Sequence, residues 1–215
     1  MRYTSILLLM LFVNLLNAVD FTELNPEPTK AMLLSEANAT VCSSPSFPTT
    51  KFTKTFAYGC FCGQNYPALE HPSKKHYTDM NQTQREELIV QYYAVKPYDD
   101  IDAVCLQHDI CYLYKGEEAQ VCNDSIYSSL RDLEKTFKSN YRDNKRNKKQ
   151  RRCKNLSSDM ASVFKTIFTV TENTSLARKG AFTINTPITL ISKLFRNSSY
   201  PKENEICNEK SILEH

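Results

Sequence analysis

Apolar residues recur at helical spacing in four stretches of the chain. The run TQREELIVQYYAV (83–95) reads as a short helix that Pro97 ends, because proline removes a backbone donor and crowds the preceding turn. IDAVCLQHDICYLYK (101–115) reads as a second helix. Asp99, Asp100 and Asp102 surround its first turn, where acidic groups oppose the positive helix end, and Gly116 stops it. Within 117–140, Ile126, Leu130, Leu133 and Phe137 follow at four, three and four residues, forming one apolar stripe. Met160, Val163, Phe164, Ile167 and Phe168 again give one apolar helical face, expected to face the core. The expected organisation is a leader at 1–18, an N-terminal arm rich in Pro, Ser and Thr at 19–56, one domain at 57–170 and a polar tail at 171–215.

Composition narrows the class. The 215 residues are 41% apolar and 24% charged, which suffices for a core and rules out wholesale disorder. Only 4 Gly and no Trp are present, and no glycine-rich phosphate loop occurs. A net charge of +3 predicts no nucleic-acid partner. The first residues combine Arg2, an apolar run from Ile6 to Leu16 and a small Ala18, the order of a secretory leader and too short to span a bilayer. No later stretch is apolar enough for a transmembrane segment, so the expected product is secreted. In that compartment 8 Cys read as four disulfides rather than as a zinc site.

Six N-x-[ST] sequons, at Asn38, Asn81, Asn123, Asn155, Asn173 and Asn197, point to a glycoprotein. Lys138 to Lys154 holds nine Lys/Arg against one Asp and is expected to be a solvated basic loop. The sharper readings of that run are a patch for anionic membrane or glycosaminoglycan, and a dibasic processing site at Arg151-Arg152.

Two segments carry the candidate chemistry: YGCFCG at 58–63 and PYDDIDAVCLQHDICY at 97–112. On a helix, adjacent His108 and Asp109 leave about 100° apart around the axis, so one can face a substrate water while the other holds a cation. Cys105, His108, Cys111 and Tyr112 share a face, and half-cystines on either side of His108 would clamp it as a general base requires.

On these residues the chain resembles the secreted phospholipase A2 family. YGCFCG is similar to that family's calcium loop, PYDDIDAVCLQHDICY to its catalytic helix, and CNDSIYSSL (122–130) to the start of its second helix. The resemblance covers 57–66 and 97–138. It implies a mainly α, disulfide-rich fold in which two antiparallel, disulfide-linked helices stand beside a calcium loop. It further implies calcium-dependent release of the sn-2 fatty acid of glycerophospholipids at a membrane surface, with His108 as the base that activates water. Ca2+ would be held by Asp109 and by the carbonyls of Phe61, Gly63 and Asn65, an oxygen shell suited to a hard cation. Tyr112 would brace the histidine's partner. The implied disulfides are Cys62–Cys105 and Cys111–Cys122, leaving Cys42, Cys60, Cys153 and Cys207 with three connectivities.

Four departures from the family pattern accompany the likeness. Gln64-Asn65-Tyr66-Pro67 replaces a glycine-rich continuation; residues 67–96 form an insertion; Val104 stands where the family has a cysteine; and Asn123 occupies the dyad position of an aspartate. Asparagine can accept from the imidazole but adds no charge, and Asp124, one residue on, is its candidate substitute. Because Asn123 also begins a sequon, a working site requires it to be buried and bare, leaving Asn38, Asn81, Asn155, Asn173 and Asn197 for glycans. The alternatives are a catalytically weak or inactive binding protein on the same scaffold, acting on a membrane or receptor, and a structural secreted glycoprotein in which the motifs are coincidental.

Overall fold

The computed structural model describes residues 29–47, 57–63, 79–116, 119–143, 147–171 and 199–208, with the backbone alone for 166–171. The leader, Asn65, Asn173, Asn197, Ile167, Phe168 and residues 67–78 of the 67–96 stretch therefore lie outside the described residues or side chains. What is described is mainly helical, with four disulfides and a few two-residue strands.

The arm is not extended throughout. Helix α1 (Lys30–Ala37) forms in it because Lys-Ala-Met-Leu-Leu are good helix formers and Thr29 caps the first turn, its hydroxyl accepting from Met32 N at 3.3 Å. Met32 is buried, and Ser35 Oγ donates to the carbonyl of Val90 at 2.7 Å. Strand β1 (Thr40–Val41) follows. The hairpin of β2 (Ala57–Tyr58) and β3 (Cys62–Gly63) then pairs Ala57 with Gly63 and Tyr58 with Cys62. Helix α2 (Gln82–Tyr93) begins at a reciprocal capping box between Asn81 and Gln84 and buries Leu88, Ile89 and Tyr92. Residues 67–96 thus carry a helix of their own, packed against α1 and the helix that begins at Asp100. Strand β4 (Val95–Lys96) runs parallel to β1.

Helix α3 (Asp100–Lys115) has Asp99 as its N-cap and Gly116, at φ 99°, as its C-cap. Helix α4 (Gln120–Asp143) buries the anticipated stripe of Ile126, Leu130, Leu133 and Phe137. Helix α5 (Lys148–Thr171) lies along α4 in the most extensive helix pairing, burying Cys153, Leu156, Met160 and Ala161.

Three boundaries differ from the sequence expectation. The basic run is largely helix rather than loop: 138–143 complete α4 and 148–154 open α5. Lysine and arginine are good helix formers, and their apolar neighbours Phe137 and Leu156 draw both ends onto the core. The dibasic pair sits within α5, and Arg152 is bonded to Glu205, its Nε donating at 2.6 Å, which is unlike the exposed loop tips where chains are nicked. The tail is not separate either. Tyr200 and Cys207 belong to the main core beside Met32 of the arm, so the domain extends beyond 57–170 in both directions.

The structure pairs Cys62 with Cys105 and Cys111 with Cys122, and divides the other four thiols as Cys42–Cys60 and Cys153–Cys207. The last bond closes a separation of 54 residues and holds the tail on α5. Cys207→Ser combined with Cys153→Ser is expected to lower unfolding stability by about 2–4 kcal/mol, read from denaturant melts. An unchanged midpoint would mean that this disulfide adds nothing to the stability of the fold.

Candidate functional site

The site is assembled around the N-terminus of α3. Asp99 Oδ1 accepts from the backbone N–H groups of Ile101 and Asp102, both at 3.1 Å, and Oδ2 accepts from Cys207 N at 2.9 Å and from the Tyr58 hydroxyl. One carboxylate thereby ties the hairpin, the helix and the tail together. Burial pushes the Asp99 carboxyl up to about 6, against those donors, and the Tyr58 phenol rises for the same reason.

Asp102 does the corresponding work for the cysteine–glycine loop. Its carboxylate accepts from Phe61 N at 2.8 Å, Cys60 N at 2.9 Å and Tyr98 N at 2.8 Å, and the residue is fully buried. The loop approaches so closely that a Cβ on Gly59 would lie 2.2 Å from Asp102 Cγ, and Gly59 has φ 62°, so glycine is required there on two grounds. Two hydrogen bonds of 2.9 Å with Ser46 fix the loop from its other side. The Cys62–Cys105 disulfide then joins it to α3 one turn before His108.

His108 is 6% exposed. Its Nε2 lies 3.2 Å from Asn123 Oδ1, and the Tyr112 hydroxyl donates to the same oxygen at 2.5 Å. Two donors on one oxygen fix the amide's orientation and, with it, the imidazole tautomer that carries a proton on Nε2. Nδ1 is left without that proton and lies 3.8 Å from Asp109 Oδ1. The Cys111–Cys122 bond and the tilted packing of the Tyr112 ring on His108, at 4.1 Å between centroids, hold this arrangement. Asn123 is 3% exposed, the burial that a bare side chain at this position requires. Asn38 and Asn81 are exposed and Asn155 is half-buried, its Nδ2 donating to Ser199 O at 3.3 Å.

Asp124 does not join the dyad. It is exposed, and its Oδ1 accepts from Gln120 Nε2 at 2.7 Å, because one residue along α4 turns the side chain by about 100°. Asp109 presents a different chemistry. Among the described residues its Oδ2 is buried without a hydrogen-bond partner, and burial pushes the carboxyl up to about 6. An orphaned carboxylate oxygen suits a cation ligand. Among the described residues no group of three or more His, Cys, Asp or Glu side chains could hold a metal; the loop that carries the carbonyls of Phe61 and Gly63 is joined to α3 by the Cys62–Cys105 bond.

Two residues escaped the sequence reading. Phe164 of α5 meets His108 edge-on at 5.1 Å, and Tyr92 of α2 packs on Phe61 at 6.2 Å, where the charge of Asp109 adds to burial in raising its phenol. Phe164 was legible only as part of an apolar stripe; nothing local marks it as a neighbour of His108.

No protein-family model, curated protein or solved structure matches this chain. Among the described residues no helix is long and apolar enough to cross a membrane, and no cysteine is free, as befits an oxidising compartment.

Proposed function

We propose that the protein is a secreted, calcium-dependent phospholipase A2-like hydrolase that releases the sn-2 fatty acid of glycerophospholipids. The observation that carries this reading is the pairing of an oriented imidazole with an orphaned carboxylate: Nε2 of His108 is engaged by Asn123, and Nδ1 stands beside Asp109. His108 Nδ1 takes the proton from a water that attacks the ester, and Asn123 with Tyr112 keeps the ring in the tautomer that can do so. Asp109, with the carbonyls of Phe61 and Gly63 and the sequence-inferred Asn65, would hold Ca2+. The ion, when bound, supplies polarisation of the ester carbonyl and an anchor for the phosphate. Side-by-side packing of α3 and α4 with their Cys111–Cys122 bond supports the same reading.

The test is fatty-acid release from mixed anionic and zwitterionic vesicles by the secreted chain, with millimolar calcium and with chelator. Calcium-dependent release is expected; none in either condition overturns the proposal. The weaker alternative, a binding protein without catalysis, draws on Phe164 lying against a nearly covered His108. Vesicle binding without release would favour it.

Asn123→Asp separates strength from presence of the dyad. A charged acceptor makes a hydrogen bond about twice as strong as a neutral one, so turnover is expected to rise roughly tenfold. Unchanged turnover would mean that the dyad charge is immaterial here.

A further inference from the structure

A cavity of about 210 Å³ lies between α4 and α5, lined by Gln120, Asn123, Asp124 and Tyr127 on one side and Phe164 and Lys165 on the other. His108 is not among its walls. Asn123 is shared between the cavity and the dyad, and Phe164 touches both the cavity and the His108 ring.

The walls specify a ligand chemistry. Asn123 Oδ1 is occupied by two donors from α3, so the other limb of the amide is Nδ2, a donor. Asn123 is 3% exposed as a residue, and Nδ2 is the donor of a side chain that lines this cavity. Lys165 brings a cation to the rim, with Nζ 5.7 Å from the centroid of the Tyr127 ring. The rings of Tyr127 and Phe164 supply apolar wall. Asp124 is the one group that opposes an anion, and Gln120 already holds its Oδ1. The volume falls below the roughly 300–1,000 Å³ of sites that enclose drug-sized ligands, so the occupant is small or enters by one end.

We propose that this cavity binds a monocarboxylate with an apolar tail, its carboxylate between Asn123 Nδ2 and Lys165 Nζ and its tail against Phe164 and Tyr127. A carboxylate hydrogen-bonded to Nδ2 places a negative charge behind the neutral amide that meets His108, the charge an aspartate would have carried. The proposal deepens the hydrolase reading, since ester hydrolysis liberates this class of molecule, and it rests on that reading only for the ligand's source. Binding itself requires no turnover.

The experiment is calorimetric titration of the full secreted chain with octanoate, octanol and acetate, which separate the intact ligand from its tail and from its head. Saturable octanoate binding is expected, with octanol and acetate each about tenfold weaker or more, the size of one hydrogen bond to a charged group. Lys165→Gln, an exposed position, is expected to weaken octanoate about tenfold and leave octanol unchanged. Absent octanoate binding, equal binding of octanol, or an unaltered affinity in Lys165→Gln overturns the site. Octanoate binding by a chain that hydrolyses no vesicle lipid would overturn the hydrolase reading alone, and hydrolysis without octanoate binding would overturn the cavity proposal alone.

Discussion

Exchanging His108 for glutamine is expected to reduce fatty-acid release by about a hundredfold or more, because a positioned general base contributes about 10²–10⁴ in rate. Glutamine is close in size to histidine, and its amide N–H can still donate to Asn123 Oδ1, so the packing of Phe164 and Tyr112 against the position has little reason to change. What is lost is the basic nitrogen beside Asp109. The melting temperature of the variant is therefore expected within a few degrees of the unaltered chain, the shift that about 1 kcal/mol produces in a domain of this size. Release that persists at the original rate would remove His108 from the chemistry. Release lost together with a large fall in melting temperature would instead report damage to the core around α3, and the calcium dependence of vesicle hydrolysis would then carry the functional question.

The second large effect falls on stability. Asp102→Ala strips the acceptor from three backbone N–H groups, those of Cys60, Phe61 and Tyr98, at a residue with no solvent exposure. Each buried donor left unpaired costs about 1–3 kcal/mol. Partial rehydration of the space vacated by the carboxylate softens the sum, and the expected loss is roughly 3–6 kcal/mol, a large share of the roughly 5–15 kcal/mol that holds a domain folded. Denaturant melts check it, with Asp124→Ala as the comparison, since that exposed carboxylate should move stability by no more than about 0.5 kcal/mol. Equal midpoints for the two variants would show that the loop does not depend on Asp102. Gly59→Ala attacks the same junction from the opposite side, through a clash with the Asp102 carboxylate and a backbone angle that alanine resists.

Helix positions were readable where local chemistry specifies them. The stripe of Ile126, Leu130, Leu133 and Phe137, the acidic residues around the first turn of α3 and the Gly116 stop all recur in the structure, because periodicity and end signals act within a few residues of one another. The loop reading of the basic run failed for a related reason: charge density says little about backbone when the flanking apolar residues supply a helical face. The arm failed because its Pro-, Ser- and Thr-rich composition concealed the eight residues of α1, whose helix depends on burying Met32.

The sequence by itself determined four of the helices, the acidic first turn and glycine stop of α3, and the adjacency of His108 and Asp109 on it, since those follow from spacing along a single element. It also put Asn123 beside Cys122, within reach of α3 once that cysteine pairs. Tertiary structure decided the pairing of Cys42 with Cys60 and of Cys153 with Cys207, the descent of Phe164 onto His108, and the capture of Asp99 by Tyr58 and by the Cys207 amide. Each of these joins residues from separate elements, up to 108 positions apart for Cys207 and Asp99, and such contacts arise from how elements stack around a shared core rather than from any local pattern.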